Sequence, residues 1–424
     1  MTTLAAESPR AAVHAPDALA PPPGNPRFPL MDGLRAIAAM SIVVTHCSGL
    51  TGFNTANALG AYTARLNAGV ALFFVLSGFL LYRPFLAARF EGRPRPRIRD
   101  YARRRLLRIV PAYWLALTVL TATVGLPGVF SGHWYVYYGF LQVYSPNWIL
   151  GGIGPAWSLC VEMSFYVALP VIALTLARVQ RGRRREAMIR IEVGALGGMA
   201  LGALAFRTWL HADDPTSVLQ STLLCNLDWF CAGMGLALAS VAWAGHDGQG
   251  AAARLVARPA WPAWAAAAVV LWVMSTRLGL PRGYPPVYDE TRWLAEHVLY
   301  IAFGTLLALP AVFGDPRHGA IRRLLGHPVL SWVGLVSYGV FLWHAPLLVN
   351  AWQNGAGAVL PFSLPFVSSL LVTAASATAC AALSYYLVER PILRFKDRGR
   401  RRPPASPPRT GPLGEPDRVP ATAG

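Results

Sequence analysis

The sequence has few charged residues for its length. Of 424 residues, only 14% are Asp, Glu, Lys or Arg, whereas 54% are hydrophobic and the mean hydropathy is +0.40. An ordinary soluble domain carries about a quarter charged residues. The composition therefore excludes a soluble enzyme, a nucleic-acid-binding module and a disordered scaffold as descriptions of the whole chain.

Lysine and paired cysteines are also scarce. Lys396 is the single lysine among 38 basic residues, a skew to which we give no functional weight. The five cysteines are odd in number and form no paired CxxC motif, so neither a disulfide framework nor a metal site is indicated. Cysteines that act as small helix-packing residues are the favoured interpretation.

The basic residues gather in short bursts between long apolar stretches. Arginine is concentrated in alternate loops, and the positive-inside rule places these loops and both termini in the cytoplasm. The sequence thus predicts an all-α, polytopic protein of the cell (plasma) membrane with about ten transmembrane helices, each able to cross roughly 30 Å of hydrocarbon. The predicted segments are about 30–50, 67–88, 107–126, 156–178, 191–210, 217–242, 260–276, 293–313, 329–350 and 364–388.

Three segments are expected not to span the membrane. Residues 1–27 are rich in Ala and Pro, and residues 397–424 in Arg and Pro, so we expect disordered cytoplasmic tails on either side of a membrane domain at 28–396. No cleavable leader is indicated. Residues 134–150 are aromatic and apolar, but a crossing there would invert every later helix. We therefore expect a re-entrant or interfacial segment on the outer side.

Ionisable residues within the predicted helices cost at least ~2.5 kcal/mol each on insertion scales, and so identify candidate functional positions. Arg35 and His46 are eleven positions apart, about three turns, so they share one face about 16 Å apart along the axis. Asp32 lies on the same stripe. The alternative interpretation is an arginine that reaches the inner headgroups and a histidine that only packs.

Arginines also mark the cytoplasmic side of two later helices. Arg83 closes the second predicted helix, and Arg105 and Arg108 stand at i and i+3 at the start of the third. Guanidinium groups pair bidentately with phosphate, so these side chains can converge on one multivalent anion. A topology signal in contact with lipid headgroups is the simpler alternative.

The fourth predicted helix carries a carboxylate. Glu162 lies about two turns from its outer end, with Ser158 one turn above. Such a group can carry a proton, pair with a neighbouring histidine or form a structural ion pair. All three interpretations remain open.

Two more helices supply candidates for the outer half. Ser337 and His344 are seven positions apart and so share a face, and Asp228 lies near the outer end of its helix. Glu296 and His297 begin another helix on the outer side, where we expect them to be exposed to water and to have no role.

Five motifs in this order resemble the acyltransferase-3 family of integral membrane O-acyltransferases. They are the R-x10-H spacing of Arg35 and His46, FFVLSGFLLYR, RRRLLRIVPAYW, WSLCVEMSFY and SYGVFLWH, spread over about 28–396. The resemblance implies a ten-helix domain that moves an acyl group, commonly acetyl, from acyl-CoA to a hydroxyl of a carbohydrate, glycoconjugate or sugar-bearing natural product. It also implies that His46 is catalytic and that Arg35, Arg105 and Arg108 are essential.

From the residues and this resemblance together, we assign expected roles. The expected catalytic residues are His46, Glu162, His344 and Ser158. The expected donor-binding residues are Arg35, Arg83, Arg105 and Arg108. The expected supporting residues are Asp32, Trp157, Tyr166, Ser337 and Asp228. Glu162 would orient His46, while His344 or Ser158 would stabilise the developing oxyanion. Acyl-CoA is expected as a cosubstrate, with no permanently bound cofactor, no metal and no nucleic acid.

A proton-coupled transporter or flippase of a glycoconjugate or drug is the main alternative, with His46 and Glu162 as a proton relay. The sequence shows no repeat symmetry of the kind that many transporters have. Some members of the family carry a hydrolase-like domain after the last helix. The Arg/Pro-rich tail predicts none here, so we expect the membrane domain to handle the acceptor.

Overall fold

The computed structural model describes residues 28–242, 260–283, 289–313, 317–355 and 364–397. Within these ranges all regular secondary structure is helical. The tails expected at 1–27 and 397–424 lie outside the described residues, except for Asp397.

Ten helices coincide with the ten predicted segments. In the described part of the chain, nine of them are long and apolar enough to cross a membrane, and α7, with 16 residues, is shorter. The predicted all-α membrane architecture is thereby confirmed. The helices are α1 (Met31–Leu50), α2 (Gly69–Phe90), α3 (Ile98–Val124), α4 (Trp157–Val179), α5 (Arg185–Asp213), α6 (Leu223–Ala242), α7 (Trp261–Thr276), α8 (Glu290–Val312), α9 (Pro328–Gln353) and α10 (Pro365–Ser384).

The helices pack as a chain of neighbours. The most extensive contacts join α10 to α9, α9 to α1, α2 to α6 and α6 to α5. α8 packs against α7 and α2, and α1 packs against α2. Small residues permit the closest of these contacts. Gly78 of α2 meets the backbone of Phe230, and Gly233 of α6 meets the backbone of Val75. Helices in membranes pack closely through such residues because apolar lipid provides little driving force of its own.

The contact between α1 and α9 is also made backbone to backbone. Gly334 lies so close to the backbone of Asp32 that a Cβ atom there would overlap it. Asp32 and Gly334 meet near the start of both helices, and His46 and His344 meet further along, so the two helices run in the same direction. This close contact determines how far apart the facing side chains of α1 and α9 lie.

The segment expected to be re-entrant folds back beside α3. It contains a short helix at Trp134–Tyr138. The hydroxyl of Tyr113 donates to the carbonyl of Tyr137 at 2.9 Å, and the indole of Trp114 donates to the carbonyl of Tyr138 at 3.0 Å. Tyr113 lies about 16 Å before the end of α3 at 1.5 Å per residue. The segment thus reaches the middle of α3, and its re-entrant or interfacial placement stays a prediction.

A buried ion pair joins α2 to α5, and a hydrogen bond connects it to the end of α4. Arg89 of α2 lies 2.5 Å from Glu192 of α5, which is fully buried. Glu192 also accepts hydrogen bonds from Tyr82 at 2.7 Å and from Gln180, just after α4, at 2.9 Å. A charge removed from water is tolerated when it is paired and its remaining lone pairs are satisfied.

Substitution of Gly334 by leucine should push α1 and α9 apart. Overpacking a close contact costs about 1–3 kcal/mol, and here the neighbour is backbone that cannot rotate away. We expect a lower melting temperature of the purified protein in detergent. Gly194→Leu on α5 is the matched control, because a Cβ atom there meets nothing within 4 Å. Equal melting temperatures for the two variants would contradict the prediction.

Candidate functional site

Two histidines from α1 and α9 form a hydrogen-bonded pair. Nδ1 of His46 lies 2.8 Å from Nε2 of His344, and the two rings are parallel to within 3°. His344 is buried, with 1% of its surface exposed, whereas His46 is half-buried. We call His46 and His344 the histidine pair.

Backbone carbonyls determine the tautomers of the pair. Nδ1 of His344 lies 2.8 Å from the carbonyl oxygen of Phe341 and 3.1 Å from that of Val340. Carbonyl oxygens only accept, so Nδ1 of His344 carries the hydrogen and its Nε2 must accept in the neutral ring. His46 then donates from Nδ1, which leaves a lone pair on its Nε2. An imidazole held in this way is arranged to take a proton at Nε2.

Three arginines lie in the first half of α1 and of α3. Arg35 lies within electrostatic range of Arg105 and Arg108, and its Nη1 is 3.2 Å from the Oδ1 of Asp32. Nε of Arg105 is buried and has no hydrogen-bond partner. The three guanidinium groups are thus close enough to influence one another electrostatically, and their joint binding of one anion stays a prediction.

Glu162 belongs to this group rather than to the histidine pair. Its Oε1 accepts hydrogen bonds from Ser77 and Tyr166, each at 2.6 Å. Tyr166 lies within electrostatic range of both Glu162 and Arg105. Among the described residues, no hydrogen bond joins Glu162 to His46.

The structure therefore gives Glu162 hydrogen-bond partners other than His46, the residue it was expected to orient. Residue spacing gives the distance of Glu162 from the start of α4, but it does not say where along α3 that start lies. The segment before α4 folds back to the middle of α3, where Gln142 and Tyr137 both contact Tyr113. α4 consequently begins beside the middle of α3, and Glu162 bonds to Tyr166, which lies within electrostatic range of Arg105.

A π-helical turn supplies a second acidic residue that the sequence analysis did not identify. After α10 the chain continues as a π-helix over Tyr385–Glu389. Glu389 is buried, accepts a hydrogen bond from Ser384 at 3.3 Å and lies within electrostatic range of Arg108. π-helical turns occur frequently at functional sites. This turn is visible in the structure, but no pattern in the sequence identified Glu389. We call Arg35, Arg105 and Arg108, with Asp32, Glu162, Tyr166 and Glu389, the arginine cluster.

Arg83, the fourth expected donor-binding arginine, has a different set of partners. Its Nη2 lies 2.9 Å from Glu91, and its Nε donates to Ser240 at 2.9 Å. The guanidinium also lies over the ring of Phe28, 5.4 Å from its centroid. These contacts tie α2 to α6, so the structure gives Arg83 a helix-joining position.

Three further predicted residues bond or pack locally. The hydroxyl of Ser158 donates to the carbonyl of Pro155 at 3.2 Å, just before α4 begins. The hydroxyl of Ser337 donates to the carbonyl of Gly334 at 2.7 Å, at the close contact between α1 and α9. Trp157, the first residue of α4, is half-buried against the core. Neither serine is hydrogen-bonded to the histidine pair among the described residues.

Asp228 lies in a separate network with residues that were expected to be exposed. Its Oδ2 is 2.7 Å from Nε2 of His297, and both side chains are buried. Glu296 pairs with Arg65 and accepts a hydrogen bond from Tyr300 at 2.6 Å. The expectation of exposure is wrong because the chain between α1 and α2 covers this end of α8. Arg65, a lone basic residue in the connection between α1 and α2, was the signal in the sequence.

No group of three or more His, Cys, Asp or Glu side chains that could hold a metal ion occurs in the part of the chain that the structure describes. The chemistry that the site can carry out depends on the histidine pair and the arginine cluster. Arg35 and His46 are about 16 Å apart along α1, so one helix contributes to both.

The tautomers of the histidine pair are open to direct measurement. We expect solid-state NMR of the 15N-histidine-labelled protein to show His46 and His344 each protonated at Nδ1 and not at Nε2. His46→Gln and His344→Gln assign the two signals among the nine histidines. Protonation of His46 at Nε2 in the neutral pair would contradict the deduced hydrogen-bond direction.

The comparisons with known proteins agree on one family. The family model described as "Acyltransferase domain" matches residues 28–386. The chain is 22% identical over 379 residues to the peptidoglycan O-acetyltransferase OatA of Listeria monocytogenes, covering 86% of this chain and 55% of that protein. It is 24% identical over 381 residues to the putative peptidoglycan O-acetyltransferase YrhL of Bacillus subtilis, with the same two coverages.

A putative O-acetyltransferase of Staphylococcus aureus is 25% identical over 387 residues, 86% of this chain and 57% of that protein. The chain thus spans a little over half the length of these curated relatives. No solved structure matches the chain.

Proposed function

Because the chain belongs to the acyltransferase-3 family, we propose that it is a membrane O-acyltransferase that moves an acetyl or short acyl group from acyl-CoA to a carbohydrate hydroxyl. The single observation that carries the proposal is the histidine pair, in which Nε2 of His46 keeps a lone pair. The relatives named as peptidoglycan O-acetyltransferases support a cell-wall carbohydrate as acceptor and the plasma membrane as location.

The proton transfer follows from the tautomers. Nε2 of His46 takes the proton of the acceptor hydroxyl while the hydroxyl oxygen attacks the thioester carbonyl. The C–O bond forms, the C–S bond breaks, and the CoA thiolate receives the proton from the imidazolium of His46. The acceptor leaves as an ester and CoA leaves as a free thiol.

His344 acts through His46 in this scheme. Nδ1–H of His46 donates to Nε2 of His344, whose own Nδ1–H is held by the carbonyls of Phe341 and Val340. This chain of bonds fixes the ring orientation and the tautomer of His46, as the third member of a catalytic triad does for its histidine. His344 is therefore a positioning residue, and the role of oxyanion donor first expected of it is not needed.

The arginine cluster suits the phosphates of the donor. Arg35 is paired with Asp32, Arg108 lies within electrostatic range of Glu389, and Nε of Arg105 has no hydrogen-bond acceptor. Guanidinium groups pair bidentately with phosphate, so the three together offer a site of suitable chemistry. An extended donor held there would present its thioester to His46, about 16 Å along α1 from Arg35.

His46→Ala should lower transfer of labelled acetyl from acetyl-CoA to peptidoglycan fragments by about 10²–10⁴-fold, the usual contribution of a general base. His344→Gln should retain more activity than His344→Ala, because the Gln oxygen still accepts from Nδ1–H of His46. His133→Ala, at an exposed histidine of the outer segment, is the control.

Initial rates in membranes with equal expression provide the measurement. Full activity of His46→Ala, or equal loss in both His344 variants, would refute the assigned roles. Movement of acceptor across the membrane without any acylated product would favour a transporter.

Arg105→Glu should raise the KM for acetyl-CoA by about tenfold or more, since loss of a hydrogen bond to a charged group costs about 1.5–3 kcal/mol. Arg95→Glu makes the same charge change at an exposed position in the loop before α3 and should leave KM unchanged. Steady-state kinetics with varied acetyl-CoA distinguish the two. The donor-site assignment fails if both variants have the same KM.

A further inference from the structure

The first part of α3 carries two arginines of the arginine cluster but is only partly packed. No residue of α3 before Ile109 is buried, whereas the buried residues of this helix extend from Ile109 to Thr121. Arg105 and Arg108 therefore lie on a stretch of about three turns that apolar burial holds less firmly than the rest of the helix. Polar contacts that tie this stretch to its neighbours determine where the two guanidinium groups lie.

Tyr101 makes such a contact. It stands one turn before Arg105, on the same face of α3. Its hydroxyl donates to the backbone carbonyl of Tyr166 on α4 at 3.2 Å. Its ring packs edge-on against Phe85 of α2, with 5.9 Å between the ring centroids. Tyr101 thus joins the start of α3 to two other helices.

The carbonyl of Tyr166 needs this donor because of a proline one turn later. In an α-helix the N–H of each residue donates to the carbonyl four positions earlier. Position 170 in α4 is Pro170, which has no N–H, so the carbonyl of Tyr166 loses its regular donor. Tyr166 and Pro170 are both buried, and a buried carbonyl left without a donor is unfavourable. The hydroxyl of Tyr101 takes the place of the missing N–H.

The side chain of Tyr166 belongs to the arginine cluster. Its hydroxyl donates to Oε1 of Glu162 at 2.6 Å, and Ser77 of α2 donates to the same oxygen at 2.6 Å. Tyr166 also lies within electrostatic range of Arg105. One residue of α4 therefore bonds to α3 through its backbone and to Glu162 through its side chain. The position of Arg105 relative to Glu162 depends on both bonds.

We propose that Tyr101 is a positioning residue for the donor site, and that its bond to the carbonyl freed by Pro170 holds Arg105 where a phosphate of acyl-CoA binds. This inference rests on the proposed function. Tyr101 acts through Arg105 and takes no part in the transfer at His46. Loss of its hydroxyl therefore weakens donor binding and leaves the chemical step unchanged.

Tyr101→Phe removes the hydroxyl and keeps the ring that packs against Phe85. We expect the KM for acetyl-CoA to rise about fivefold, which corresponds to one ordinary hydrogen bond, with kcat unchanged. Tyr144→Phe is the matched control, because it removes the hydroxyl of an exposed tyrosine in the outer segment and should change neither constant. An unchanged KM, or a lower kcat at unchanged KM, would overturn the positioning role.

A double-mutant cycle tests the part assigned to Pro170 without any measurement of activity. In Pro170→Ala the N–H of residue 170 can satisfy the carbonyl of Tyr166. Tyr101→Phe should then lower the melting temperature in detergent by less than it does in the wild-type background. Pro310→Ala, at a buried proline inside α8, is the control background, in which Tyr101→Phe should have its full effect.

The two measurements separate this inference from the proposed function. A KM raised by Arg105→Glu but not by Tyr101→Phe would overturn this inference alone. A KM unchanged in both variants would overturn the donor site together with the role of Tyr101. Equal losses of melting temperature in all three backgrounds would show that Pro170 does not create the need for the Tyr101 hydroxyl, and would overturn that part of the proposal.

Discussion

One hydrogen bond, between the imidazoles of His46 and His344, organises the candidate active site. In bulk water such a bond would exchange with solvent and both tautomers of each ring would be populated. Inside an apolar bundle the carbonyls of Phe341 and Val340 determine the proton position on His344, and His344 determines it on His46. The close contact of Gly334 with the backbone of Asp32 keeps the two helices near enough for this bond. Backbone geometry therefore decides which nitrogen of His46 is basic.

Buried polar groups in this protein are of two kinds, those with an ionic or hydrogen-bond partner and those without one. Glu192 with Arg89, and Glu296 with Arg65, have partners that join neighbouring helices, as expected of charges that must be neutralised in oil. Other buried side-chain atoms of the described residues, Nε of Arg105 among them, have no hydrogen-bond partner. Unused hydrogen-bonding capacity at depth is costly, and in the arginine cluster it agrees with the anion site proposed above.

The helices and their approximate bounds could be predicted from sequence because hydropathy and the distribution of arginine act within single segments. The shared face of Arg35 and His46 could be predicted for the same reason. The position of Glu162 could not, since it depends on how deeply the aromatic segment before α4 folds back beside α3. The pairing of Asp228 with His297 was missed because each residue was judged on its own helix, although a carboxylate one turn into an apolar helix requires a partner.

The π-helical turn at Tyr385–Glu389 makes chain length itself a determinant of the site. A π-helix carries one residue more per local turn than an α-helix, and it costs stability to maintain. Loss of one residue from this stretch would let an ordinary helix close while Glu389 keeps nearly its present direction, because the wider turn is what accommodates the extra residue. A further inserted residue could not be absorbed in this way and would turn everything after it by about 100°. The end of the bundle can therefore lose a residue here more readily than it can gain one.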